Sequence, residues 1–258
     1  MPLEFYCNET DILATVFPDV PTLLPTSCTL GPMMKREDSR DVLVMKQGSP
    51  YKKLEDLPAG SVVGTSSVRR SAQLARKYPH LKIADVRGNI GTRLAKLDAE
   101  DGPFACIILA AAGLHRLDLQ DRITQYLDSK SGQMLHAVGQ GALGIEIRKD
   151  DKLVHKMLNN IGHKETTLAA LAERSLLRTL EGGCSAPLGV ETEWVEGQLK
   201  MRSIVVSVDG TRSAEAEVDG AVDSPEAAEE FGVTMAKALV EKGAGAILEE
   251  IQQNKITS

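Results

Sequence analysis

Residues 64–93 read GTSSVRRSAQLARKYPHLKIADVRGNIGTR and carry seven basic residues against one acid, Asp85. The whole chain has a formal net charge of −6, so this stretch stands at +6 and everything outside it at −12. Such a contrast marks a site for anions. Arg69, Arg70, Arg87 and Arg93 lie in it and Arg116 follows, and guanidinium forks grip carboxylate or phosphate in bidentate fashion. Paired basic residues on a helix are usually a solvated face, which is the simplest reading of Arg76 and Lys77. A second group able to do chemistry is Cys184, in the loop sequence Glu181-Gly182-Gly183-Cys184-Ser185-Ala186-Pro187. A loop cysteine after a helix stop is more often structural than chemical, and a nucleophilic thiol needs a nearby base or a positive field. The nearest histidine in sequence, His163, has no dyad spacing, so the field would have to come from the arginines. Cysteine plus arginine cluster suits covalent tethering of a polyanion.

The local pattern says how the arginines are positioned. Ser61-Val62-Val63 is a short β-type run ending at Gly64, and Thr65-Ser66-Ser67 supplies hydroxyls of the kind that cap a helix start. The helix is expected from about Val68 to Tyr78, stopped by Pro79. Leu81 to Val86 reads as a second strand, Arg87-Gly88-Asn89 as a turn, and Ile90 to Ala99 as a second helix. Phe104 to Leu109 is a third, continuously apolar strand, leading through Ala111-Ala112-Gly113 into a turn with His115 and Arg116. Strand and helix repeated three times imply parallel strands with right-handed crossovers. Ser66, Ser67, Arg69, Arg70, Arg87, Arg93 and Arg116 then gather along one sheet edge, where helix amino ends already favour negative charge.

Composition narrows the partner. With 258 residues and 42% hydrophobic content the chain can bury a substantial core and make two or three domains. Nine aromatic side chains are too few for a base-stacking platform, and a pI near 5.5 argues against a general nucleic-acid binder. The longest apolar run, 104–114, is too short to span a bilayer, no secretory signal is read at the start, and Cys7, Cys28, Cys106 and Cys184 show no metal-ligand spacing. A reducing cytosol is the expected compartment, with no metal.

Elsewhere Asp41-Val42-Leu43-Val44 reads as a strand, Leu54 to Pro58 as a connecting helix or turn, and Met1 to Ala14 shows no clear period. The glycines of Gly139-Gln140-Gly141-Ala142-Leu143-Gly144 match GxGxxG, but a strand follows rather than a helix, so a hinge or crossing strand is preferred over a dinucleotide site. A helix from Glu165 to about Leu180, three strands between Gly189 and Val218, and a helix from Ser224-Pro225-Glu226 to about Gly243 make a small α+β unit with an antiparallel sheet.

In this order GTSSVRRSAQL, VRGNIGTRLAKLD, ILAAAGLHRL, AVGQGALGIE and LEGGCSAPLG resemble the hydroxymethylbilane synthase (porphobilinogen deaminase) family of tetrapyrrole and heme biosynthesis, over about Pro21 to Val190. The resemblance implies two α/β domains like those of periplasmic binding proteins and a third α+β domain bearing a cofactor cysteine. It implies a transferase that condenses four porphobilinogen molecules head to tail, releasing ammonia at each step, and hydrolyses off hydroxymethylbilane. The implied cofactor is dipyrromethane, held through a thioether to Cys184. By the same resemblance Thr65, Ser67, Arg69, Arg70, Arg87, Arg93 and Arg116 hold the acetate and propionate carboxylates of cofactor and substrate. Asp19 matches the family's catalytic aspartate, a carboxylate that can stabilise the electron-poor methylene-pyrrole cation and shuttle protons. Porphobilinogen is then the only partner, with no nucleic acid and no membrane, and the chain is expected to be monomeric and cytoplasmic.

Two departures from the family pattern shape further expectations. The family's opening strand motif is not visible in Met1 to Ala14, and Pro18 stands where the family has lysine, so residues 1–18 read as unrelated. The first domain is therefore expected as a truncated remnant, 1–36, completed by 137–162; 37–136 is the arginine-lined α/β domain and 163–258 the cysteine-bearing α+β domain. Impaired activity is expected with it. The readings kept beside the enzyme are a non-enzymatic, two-lobed small-anion binder and, more weakly, a phosphate-ester enzyme.

Mass spectrometry of the intact chain separates the first two: the enzyme carries a two-ring adduct that Cys184→Ser removes, whereas a binder shows the bare polypeptide mass. Asp19→Asn abolishes turnover and leaves the adduct in place; unchanged turnover would take Asp19 out of the chemistry.

Overall fold

A computed structural model of the chain describes residues 12–20, 24–180 and 186–256. Its eleven described strands are β1 (Ile12–Val16), β2 (Cys28–Leu30), β3 (Asp41–Met45), β4 (Val62–Gly64), β5 (Lys82–Ala84), β6 (Cys106–Ala110), β7 (Gln125–Leu127), β8 (Leu143–Arg148), β9 (Leu188–Val195), β10 (Gln198–Val206) and β11 (Ser213–Gly220). The α-helices are α1 (Val68–Lys77), α2 (Ile90–Asp98), α3 (Ala111–His115), α4 (Lys152–Leu158), α5 (Lys164–Thr179), α6 (Pro225–Glu241) and α7 (Ala244–Ile256). The strands form three sheets, ordered β1-β8-β2, β5-β4-β6-β3-β7 and β11-β10-β9.

In the five-stranded sheet β4 is parallel to both β5 and β6, as the strand-helix repeat requires. The sheet is mixed, because β3 runs antiparallel to β6 and β7. Every residue of β3 is buried, since side chains alternate between two covered faces. Leu43 and Met45 join Leu74 and Tyr78 on the α1 side, while Val42 and Val44 join Leu94, Leu97 and Leu114 on the α2 and α3 side. Helix α1 starts where Ser67 caps it, its side chain accepting from the Arg70 backbone N–H, and α2 starts where Asn89 accepts from that of Thr92.

The three-stranded sheet β11-β10-β9 is antiparallel throughout, and α5, α6 and α7 cover one face of it. Its other face turns toward α1: Ile204 and Val206 of β10 pack with Ala72 and Leu135. Helices α5 and α6 approach closely because position 232 is glycine. A Cβ there would lie 2.6 Å from Ser175 Cβ and closer still to the Ala172 carbonyl oxygen.

Sheet β1-β8-β2 is antiparallel, and α4 covers it through Leu158, packed on Ile145 and Ile147. Strand β1 falls where no period is visible in the sequence, and it is real as a partner of β8, with Ile12 opposite Ile147. Helices α4 and α7 and strand β7 also lie outside the sequence expectations. Two connecting segments, 31–40 and the turn-forming 137–142, run side by side between the sheets. Gly141 adopts φ +85°, its carbonyl accepts from the Glu37 N–H, and a Cβ would stand 2.5 Å from the Glu37 carbonyl oxygen. Only glycine satisfies both conditions. The GxGxxG segment thus leads into strand β8, which removes the dinucleotide reading.

Gly232→Ala is expected to lower stability by about 1–3 kcal/mol through overpacking of α5 on α6, read as a lower urea midpoint at unchanged slope.

Candidate functional site

Asp41 opens β3 and is fully buried. Its Oδ2 accepts from Arg69 Nη1 at 2.7 Å, and its Oδ1 accepts from Arg70 Nη2 at 2.7 Å, Arg70 Nε at 3.1 Å and Gln140 Nε2 at 2.9 Å. Arg69 also donates to the Leu135 carbonyl and Arg70 to that of Ile108. Burial opposes ionisation of Asp41, yet two adjacent guanidinium charges and their hydrogen bonds hold its carboxyl well below the usual range. Arg69 and Arg70 differ in this from the expected row of ligand-facing arginines, because their forks are turned inward onto one carboxylate.

The other three arginines remain at the rim. Arg87 is exposed, and its Nε donates to Asp85 at 2.9 Å. Arg93 Nε donates to the Gly88 carbonyl at 2.7 Å, and its pKa is lowered by partial burial and by the charge of Arg70 nearby. Arg116, just past α3, donates Nη2 to the Gly141 carbonyl at 3.0 Å. Each keeps further N–H donors with no partner among the described residues. Thr65 is buried with its Oγ1 accepting from the Ser67 N–H at 3.2 Å, and Ser66 Oγ donates to the Val86 carbonyl. The hydroxyl protons of Thr65 and Ser67 have no described acceptor. The edge so formed displays guanidinium and hydroxyl donors at the carboxyl ends of β4, β5 and β6 and the amino ends of α1 and α2. That arrangement can bind several carboxylates at once.

Asp19 ends the 3-10 turn Phe17–Asp19 at the carboxyl end of β1. The turn is tied to the glycine segment by a hydrogen bond from the Phe17 N–H to the Ala142 carbonyl at 3.0 Å. The Asp19 side chain lies outside what the structure describes, as does Cys184 with the rest of 181–185, between the described ends of α5 and β9.

A second buried carboxylate was not singled out in the sequence. Glu173 of α5 takes Arg36 in a fork, Nη1 to Oε1 at 2.6 Å and Nη2 to Oε2 at 3.0 Å, and accepts from the Gly139 N–H at 2.7 Å and Thr192 Oγ1 at 2.6 Å. Burial is the largest single influence and disfavours its charge, but the Arg36 charge, together with the other hydrogen bonds and charges it meets, lowers its pKa. Gln140 joins the two centres: its side chain bonds Asp41, and its carbonyl accepts from Arg36 Nε at 2.7 Å. The available signals were an acid opening an otherwise apolar strand at Asp41, and an acid beside Ala172 and Leu176 on the apolar face of α5.

Comparison with known proteins places this geometry. The family model described as "Porphobilinogen deaminase, dipyromethane cofactor binding domain" matches residues 3–156, and "Porphobilinogen deaminase, C-terminal domain" matches 167–241. The chain is 55% identical over 249 residues to porphobilinogen deaminase of Yarrowia lipolytica, covering 96% of this chain and 73% of that protein. It is 51% identical over 252 residues to that of Saccharomyces cerevisiae, covering 96% and 76%. Among solved structures, the periplasmic VFT2 domain of Bordetella pertussis BvgS aligns with a TM-score of 0.37 at 15% identity, covering 62% of this chain and 65% of that one. The chain belongs to the porphobilinogen deaminase family. The match from residue 3 corrects the reading of 1–18 as unrelated, in keeping with the pairing of β1 to β8. The family is enzymatic, so the non-enzymatic binder gives way.

Asp41→Asn leaves two buried guanidinium groups short of a counter-charge and is expected to cost about 3–5 kcal/mol. Because folding depresses the Asp41 pKa, its stabilisation is full above the ordinary value of 3.8 and is lost as pH falls below it. Acid titration of the folded fraction should therefore show a shallower transition below about pH 4 in the variant.

Proposed function

We propose that this chain carries out the family's reaction: head-to-tail condensation of four porphobilinogen molecules with release of ammonia at each step, then hydrolysis to the linear tetrapyrrole hydroxymethylbilane. One observation carries the reading at the level of residues. An acidic chain keeps a rim of guanidinium groups, Arg87, Arg93 and Arg116, with donors to spare beside two arginines that share the single carboxylate of Asp41. The residues fit dipyrromethane, since it is a polycarboxylate and these donors, with the hydroxyls of Thr65 and Ser67, are carboxylate partners. When bound, that cofactor supplies the nucleophilic carbon of its terminal pyrrole.

The chain's own groups then divide the work. Cys184 holds the cofactor through its sulfur, and its loop springs from α5 and β9, the two elements that supply Glu173 and Thr192. Arg87, Arg93 and Arg116 orient carboxylate arms in shallow, exchangeable contacts. Arg69 and Arg70 supply a fixed positive potential from behind them. Asp19, in the turn that follows β1, supplies a proton-accepting carboxylate. Three units carry this out, 1–36 with 137–162, then 37–136, then 163–258, and the working compartment is the cytoplasm, with the chain acting as a monomer.

Arg87→Leu and Arg93→Leu should each lower kcat/KM for porphobilinogen by about 10- to 100-fold, the equivalent of one charged hydrogen bond. The cysteine adduct should be retained and the Arg87→Leu urea midpoint unchanged. Full kcat/KM in both variants would remove the rim from substrate binding.

A further inference from the structure

The Phe17 side chain is 2% exposed and fills a slot between two glycines of the 139–144 segment. A Cβ at Gly144 would stand 2.9 Å from ring atom Cδ2, and one at Gly139 would stand closer still to Cδ1 on the other edge. Carbon atoms in contact keep about 3.5–4.0 Å apart, so the ring takes up the space that side chains at 139 and 144 would need. The backbone follows the same seat: Gly144 pairs opposite Thr15 of β1, and the Phe17 N–H donates to the Ala142 carbonyl at 3.0 Å. Ring and backbone together peg the 3-10 turn Phe17–Asp19 onto the start of β8.

Helix α5 holds the same turn. Arg174 donates Nη1 to the Val20 carbonyl at 3.2 Å, and its guanidinium carbon stands 5.7 Å from the centre of the Phe17 ring, within cation–π range. The Val20 N–H donates to the Phe17 carbonyl at 3.1 Å, which closes the turn across Asp19. Phe17 and Val20 share one buried apolar cluster with Met33, Ala142 and Ala170, drawn from the 31–40 segment, the glycine segment and α5. The backbone at Asp19 is thus anchored on both flanks by residues from distant parts of the chain. Such anchoring sets where a carboxylate can reach, and a misplacement of about 1 Å can cost roughly 100-fold in rate.

We propose that Phe17 is a positioning residue for Asp19: its ring, slotted between Gly139 and Gly144 and beside Arg174, fixes the turn from which the Asp19 carboxylate acts. The glycine pattern that matches a dinucleotide fingerprint is, in this chain, the seat of that ring. The role of Phe17 rests on that of Asp19 as the proton-accepting carboxylate proposed above.

The test is turnover of porphobilinogen per adduct-bearing chain, counted by intact mass, with the urea midpoint recorded beside it. Gly144 has no positive φ, so Gly144→Ala adds a methyl group without backbone strain and presses on the ring. It should lower kcat about 10- to 100-fold while KM stays within about threefold. Phe17→Leu alone leaves the slot underfilled and should lower kcat about three- to tenfold; combined with Gly144→Ala it makes room for the methyl, and kcat returns to about the Phe17→Leu level. Gly232→Ala, overpacked between α5 and α6, controls for lost stability and should keep kcat within about twofold. Full kcat in Gly144→Ala or in Phe17→Leu, no recovery in the double variant, or an equal loss in Gly232→Ala overturns the proposal. Asp19→Asn separates the two roles. Lost turnover there with full kcat in Gly144→Ala sinks the role of Phe17 alone, whereas retained turnover in Asp19→Asn removes the role of Asp19 and that of Phe17 with it.

Discussion

Two positive charges and one negative charge buried together at the start of β3 are the constraint on which the arginine-lined sheet depends. A lone guanidinium cannot be taken out of water cheaply, and neither can a lone carboxylate. Asp41, Arg69 and Arg70 can be buried only as a set, and the observed geometry satisfies the forks, the two carbonyls of Leu135 and Ile108, and Gln140 together. That geometry fixes the amino end of α1 against the end of β3. It thereby fixes Thr65 and Ser67, whose hydroxyls face the same edge. The net charge left over is positive, and it is held where no side-chain entropy has to be lost when an anion arrives.

The same device recurs at Glu173. Glu173 gathers Arg36 from one interlobe segment, the Gly139 N–H from the other and Thr192 from β9, so a carboxylate on α5 sets how both crossing segments sit against the third sheet. Gln140 then bonds one centre with its side chain and the other with its backbone carbonyl. The α5 and β9 unit, which flanks residues 181–185, is thereby joined to Asp41 by a continuous chain of buried hydrogen bonds. The glycines at 139 and 141 allow the close approach this requires. A side chain at 139 would collide with the Phe17 ring, and one at 141 with the Glu37 carbonyl.

Much of the frame was legible in the sequence where local and long-range signals agree. Ser67 and Asn89 announced the two helix starts, and the apolar run 104–109 announced a buried strand. What was not legible was decided by partners far along the chain. β1 has no period of its own and exists because β8 pairs with it. α4 is short, with Leu153 and Met157 exposed and only Leu158 fully buried, so its apolar pattern gives no face to read. The five arginines looked alike in sequence, yet two are ion-paired in the interior, because the acid that claims them lies 28 and 29 residues earlier.

That division bears on how a growing polycarboxylate can be held without being trapped. A pyrrole bound only by interior forks would have to break several desolvated, charge-assisted bonds to move on, each costing more than an exposed one. Contacts to Arg87, which is 78% exposed, are screened by water and salt, so each is weak and quickly exchanged. Interior arginines raise the local potential for every carboxylate, whereas in the proposed binding mode the rim arginines would grip whichever carboxylate is in front of them. An edge built from the first kind alone would be inert, and one built from the second alone would hold its anionic ligand only weakly against the repulsion of a chain that sums to −12 outside residues 64–93. The observed mixture gives a persistent attraction with replaceable grips, which is what a substrate that lengthens by two carboxylates per ring demands.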